Sequence, residues 1–149
     1  MSEKMNRQGR TSKETKRRER GQSLVETAIV LPILLLLVAA VVDFGRAFDA
    51  YIVLTNAARE GARFGSVNPE LSETGVKDLV VADVLGSGTN ITQMTGFTTD
   101  NVTVEGQAPG SEVVKVTVTY QFDLWFGGII GISDVTLTKA SEMPRWRDK

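Results

Sequence analysis

The chain has 149 residues, with no Cys and no His, 17 Lys+Arg against 18 Asp+Glu, and 42% hydrophobic residues. Without imidazole or thiolate there is no His general base, no Cys nucleophile, no disulfide, and no zinc, haem or iron–sulfur site built on His or Cys. The near-neutral total is a sum of two opposite segments. Residues 1–21 hold eight basic and three acidic side chains, a net of +5, whereas the other 128 residues hold nine basic and fifteen acidic ones, a net of −6. Charge segregated in this way suggests a membrane or nucleic-acid role for the basic part.

Residues 1–21 form a polar basic leader without apolar periodicity and are expected to be unstructured in water. From Leu24 to Val42 the only charge is Glu26. These nineteen residues, at 1.5 Å each, would span about 28 Å, close to the ~30 Å hydrocarbon core of a bilayer. Residues 22–42 are therefore expected to be a transmembrane helix. The competing assignment, a central helix of a soluble protein, would need more chain than remains to wrap it. Lys16, Arg17, Arg18 and Arg20 lie directly before the span, while Asp43, Arg46 and Asp49 alternate after it. The positive-inside rule then places the N-terminus in the cytoplasm and the C-terminal part outside the cell membrane, in a single pass. The basic run has no interleaved aromatic residues, which argues against a nucleic-acid partner.

Helical periodicity continues through residues 43–66, where Phe44, Phe48, Tyr51 and Ile52 recur at three- and four-residue steps. Ala50, Leu54, Ala57, Gly61 and Gly65 form a second stripe of mostly small residues, and Ala57-xxx-Gly61-xxx-Gly65 would let another helix or a sheet approach the backbone. A helix from Ser23 to about Phe64 would be roughly 60 Å long, and Asn68-Pro69 is expected to end it. Asp43, Arg46 and Asp49 would form a charged belt just outside the membrane. Arg59 and Arg63 share a helix face with Glu60 beside them, which is usually only a solvated face.

Residues 67–143 are expected to form a small α+β head, followed by a tail at 144–149. A short helix is predicted over 76–85, capped by Ser72 or Thr74 and ending at Gly86, with a loop over 86–90. Strands are predicted over 101–105, 113–122 and 134–141. In the second, Val114, Val116, Val118 and Tyr120 alternate with Lys115, Thr117 and Thr119 in the period of a half-buried antiparallel strand. Residues 106–110 would join the first two strands as a hairpin. Trp125, Phe126 and the Gly-rich run after them would connect the second strand to the third.

The membrane boundary is more specific than a generic anchor. A basic run ending in Gly21, followed by Gln22-Ser23-Leu24-Val25-Glu26 and an apolar helix, resembles the class III signal of type IV pilins and pseudopilins. A Gly permits an extended backbone at a scissile bond. The resemblance implies cleavage between Gly21 and Gln22 by a prepilin peptidase on the cytoplasmic side, and it implies that Glu26 sets register by pairing with the N-terminal amine of a neighbouring subunit. An ionisable group inside the span is independently a site hypothesis. Pro32 removes one helical hydrogen bond and introduces a potential kink. Taken together, GQSLVETAIVLPILLLL at 21–37, Asp43-Phe44-Gly45-Arg46 and Ala57-Ala58-Arg59-Glu60-Gly61-Ala62-Arg63 resemble the TadE-like family of tight-adherence (Flp) pilus assembly proteins, over Arg20 to Phe64. This implies a small pseudopilin-like component of the Tad secretion system with an extracytoplasmic head. Its implied partners are the lipid bilayer, other pilin-like subunits, the prepilin peptidase and the pilus assembly platform. It also raises the alternative that Gly61 permits close packing and that Arg59 and Arg63 tie the helix to its head or to another subunit.

Nothing marks a catalytic site, and no cofactor is expected. G-x-S-x-G, Walker and Rossmann patterns are all missing from the sequence. Asp100, Asn101 and Glu105 carry calcium-ligand oxygens, but not at the spacing of an EF-hand loop. The expectation is a non-enzymatic membrane protein. Two alternatives stand beside it: a signal-anchored extracytoplasmic binding module, and a protein secreted after cleavage behind Ala40, where Val38-Ala39-Ala40 offers a small-residue site.

Overall fold

The alternation at 113–122 folds as a strand, β2 (Val113–Asp123), that buries Val114, Val116, Val118 and Phe122 on one face. The computed structural model describes residues 5–87 and 94–146. In chain order it contains α1 (Met5–Val67), α2 (Glu73–Ser87), a 3-10 turn (Thr99–Asn101), β1 (Val102–Glu105), β2, a second 3-10 turn (Gly127–Ile130) and β3 (Asp134–Pro144). This is the expected α+β arrangement of a long apolar helix, a short helix and an antiparallel sheet. The chain divides into two compact units, Met1–Val41 and Val42–Lys149. The C-terminal end of α1 thus belongs to the same unit as the sheet.

The sheet has the order β1-β2-β3 with both pairings antiparallel. Val104 lies opposite Val116, and Val116 opposite Ser141, so the buried face is continuous across the register. On the other face Lys115 sits opposite both Glu105 and Glu142, 3.7 Å from each, in exposed cross-strand pairs that favour this register by a few tenths of a kcal/mol. The core is closed by Ala50, Val53, Leu54, Ala57, Ala58 and Ala62 of α1, by Val76, Val80 and Val84 of α2, and by Met94 and Phe97.

Local chemistry sets the element ends. Asn68 closes α1, its amide N–H and its Nδ2 both donating to the Phe64 carbonyl. Ser72 caps α2 as predicted, its Oγ accepting from the Gly75 N–H at 3.1 Å. Four expectations differ from the structure. The leader is helical from Met5, because Lys, Arg, Glu and Gln are good helix formers and extending a nucleated helix is cheap. Asn101, read as the start of a strand, ends a 3-10 turn. Its Oδ1 accepts from the Thr98 N–H and its Nδ2 donates to the Thr119 carbonyl, so this amide braces the turn. The third strand runs on to Pro144, absorbing the start of the tail. The fourth difference is the loop expected at 86–90: Gly86 and Ser87 still belong to α2, and residues 88–90 lie outside the described residues.

Candidate anchoring and assembly site

The residues singled out in the sequence fall into three groups along α1. In the first, Leu24 to Val42, the apolar side chains are largely exposed: Leu24 is 71% exposed, and Ile33 and Leu37 are about as open. A helix this long and apolar fits a membrane anchor. Glu26 is exposed and has no partner among the described side chains. Pro32 lies inside the helix, so the Ala28 carbonyl lacks its usual donor. Gly21 and Gln22 are in helical backbone, not in the extended backbone a scissile bond requires, because α1 runs through them without interruption.

The second group is the charged belt, and only in part is it a belt. Asp43 is 5% exposed. Its two carboxylate oxygens accept the backbone N–H groups of Trp125 and Phe126 at 2.9 and 2.8 Å. Arg46, one turn on, donates to Asp43 at 3.3 Å and to the Asp123 carbonyl at 3.4 Å. Its guanidinium lies 3.8 Å from the centroid of the Trp125 ring and 4.9 Å from that of Phe122. Burial by itself would raise the Asp43 pKa, but the Phe126 and Trp125 amides and then Arg46 outweigh it and hold the carboxyl below its ordinary value. Asp43 and Arg46 therefore fasten the loop between β2 and β3 to the first turn of α1 beyond the apolar span. Sequence spacing joined Asp43 to Arg46 but gave no sign of their partners, which lie about eighty residues away.

The third group is the small-residue stripe. It admits the head of the same chain, with α2 and β2 packed onto it. A Cβ added at Gly61 would collide with Val80 of α2 and come within 3.4 Å of Val116 of β2. One added at Gly65 would lie 3.1 Å from both Val114 and Gln107. Ala57 is fully buried beside them. The close approach expected of this spacing is thus made within the chain, by α2 and β2. Arg59 is exposed, and Arg63 forms a two-pronged pair with Glu60 on the open face, so these arginines do not tie the helix to its head. The Arg63 bonds hold Glu60 below its ordinary pKa.

Two functional side chains escaped the sequence reading. Gln107, read as a loop residue, is buried, and its Nε2 donates to the carbonyls of Asn68 and Leu71 at 3.1 and 3.0 Å and more weakly to Gly65 at 3.4 Å. It ties the last turn of α1 to the Asn68–Leu71 turn that follows it. Arg145 in turn donates to the backbone carbonyls of Gln107 and Ala108. Nothing in a Gly-Gln-Ala-Pro-Gly loop distinguishes this glutamine from a solvated one.

No curated protein and no solved structure matches the chain. A family model does match, over residues 21–63, and its description is TadE-like protein. The matched stretch takes in the apolar span, Asp43 and Arg46, and the stripe up to Gly61, and over these residues the chain is similar to the TadE-like family.

Proposed function

We propose that this chain is a membrane-anchored, non-enzymatic, pseudopilin-like component of Tad/Flp pilus assembly, working by helix packing with other pilin-like subunits. The observation that carries the proposal is the contrast within the family-matched stretch: residues 24–42 are largely apolar and open, whereas the stripe from Ala50 to Gly61 is covered by the head. With the stripe covered, the span is the surface left for lateral packing. The basic leader holds the N-terminus in the cytoplasm. Cleavage after Gly21 by a prepilin peptidase removes it, which requires the helix to open at that bond. Glu26, close to the new N-terminus, then pairs with an amine on a neighbouring subunit, since a carboxylate in the span needs a partner or a proton. The head remains outside and supplies specificity towards the assembly platform.

Intact-mass analysis of the protein from purified membranes is the test. Loss of residues 1–21 supports the pilin-type route. Loss of 1–40 would make the protein a secreted one and end the proposal. An uncut chain removes the peptidase from its partners and favours a signal-anchored module. Glu26→Gln addresses register: unchanged assembly with co-expressed pilus components would eliminate that role.

A further inference from the structure

The connection from Leu124 to Ser133 has no charged residue, and much of its apolar surface is open: Trp125 is 63% exposed, Ile129 65% and Ile132 50%. An exposed apolar loop on a small head calls for an occupant. The position of this one is set by Asp43, whose carboxylate holds the Trp125 and Phe126 amides. Asp43 directly follows Val42, the last residue of the apolar span, so the loop is bonded about 1.5 Å of helix rise beyond the end of that span. The headgroup layer extends several ångströms past the hydrocarbon boundary. Phe44 and Phe48, stacked on the exposed side of α1, fall within about 9 Å of Val42 on the same count.

From this we infer that the Trp125–Ile132 loop is a second membrane contact, inserted into the lipid interface where α1 leaves the bilayer. The inference rests on the anchor assignment of the span. Trp and apolar side chains at headgroup level are the composition of interfacial anchors. Part of the loop's backbone is bonded internally, which lowers the cost of that setting. The Leu124 N–H donates to the Ser133 carbonyl, Ile129 to Phe126, Gly131 to Gly128 and Ile132 to Gly127, while Asp43 takes the Trp125 and Phe126 amides. Gly127 makes this closure possible, since a Cβ there would run into the Ile132 carbonyl oxygen. Arg46, largely buried and paired with Asp43, packs on Trp125 and holds its ring in place. Held at Asp43 and at the lipid surface, the head would have a fixed height and tilt above the membrane.

The experiment uses the full chain in phosphatidylcholine vesicles. The protein has two tryptophans. Trp146 donates its backbone N–H to Ser66, which lies 23 residues beyond Asp43 on α1, about 35 Å of helix rise away. Trp146→Phe leaves Trp125 as the sole indole, and Trp125→Phe leaves Trp146. Leu36→Trp in a background lacking both reports on the span. Lipids brominated near the glycerol end of the acyl chain should quench most of the Trp125 emission and leave Trp146 unaffected, and aqueous acrylamide should do the reverse. If Leu36→Trp is quenched by brominated lipid but Trp125 is not, the interfacial contact is refuted and the anchor stands. Protection of Trp125 from both quenchers would assign the loop to a protein partner and overturn the inference. If Leu36→Trp itself escapes lipid quenching, the anchor fails, and the contact with it.

Discussion

Replacing Asp43 by Asn tests whether the join between α1 and the β2–β3 loop carries stability. The wild-type carboxylate accepts two amides, at 2.8 and 2.9 Å, and faces Arg46 at 3.3 Å, with the Arg46 side chain 11% exposed. Hydrogen bonds to a charged group contribute about 1.5–3 kcal/mol each. Asn keeps one acceptor oxygen, so one of the two amides would face an NH2 donor and lose its bond. Arg46 would lose its counter-charge while remaining mostly buried, and breaking such a pair costs about 3–5 kcal/mol when fully desolvated. Because Arg46 also bonds the Asp123 carbonyl and stacks on Trp125, the lower end applies, about 3 kcal/mol. For a unit of this size that is a fall of about 10 °C in melting temperature. The assay is thermal unfolding of the full chain in detergent micelles, followed by Trp125 emission in a Trp146→Phe background. The effect should also depend on pH in a defined sense. The folded-state pKa of Asp43 is depressed, so its contribution is present above the unfolded value near 4 and is lost as pH falls through the folded value. Acidification should therefore close the gap between parent and Asp43→Asn. An Asn variant that melts with the parent at neutral pH would refute the assignment of stability to this carboxylate.

Three further substitutions separate buried from exposed features. Gly61→Ala would place a methyl group against Val80 and Val116, β-branched side chains with little freedom to yield. Overpacking of this kind costs about 1–3 kcal/mol, against a helix-propensity gain of up to about 1 kcal/mol. A lower unfolding midpoint is expected, and a higher one would show that the stripe is not in close contact. Gln107→Ala removes the donor to carbonyls near the end of α1 and should destabilise by about 1–3 kcal/mol. Faster amide hydrogen exchange near Asn68 to Leu71 would locate the effect. Arg63→Ala, on the open face, should leave the melting temperature unchanged, and a clear drop would mean that the Glu60 pair is more than a surface contact.

The features legible in the sequence were those with a period or a local partner. Residues 113–122 announce a half-buried strand because every second side chain is apolar, and Ser72 announces a helix start because its hydroxyl answers an amide three residues away. The stripe at 57, 61 and 65 announced a close approach for the same reason, although spacing could not say whether the approaching surface belongs to this chain or another. What escaped was long-range. Asp43 binds amides 82 and 83 residues on, and Gln107 bonds carbonyls 36 to 42 residues back. A backbone amide has no residue type, so no pattern in the sequence encodes it as a partner.

The extent of the family match acquires a physical sense from these contacts. It ends at residue 63, before the head begins, yet it contains the side of α1 on which the head is seated. A stripe of Ala and Gly asks only that the covering surface come close, and Val80 and Val116 meet that demand by shape, with no polar specificity. Asp43 asks only for two backbone amides, which any loop of suitable conformation can offer. Such a seat constrains the helix closely and the head loosely.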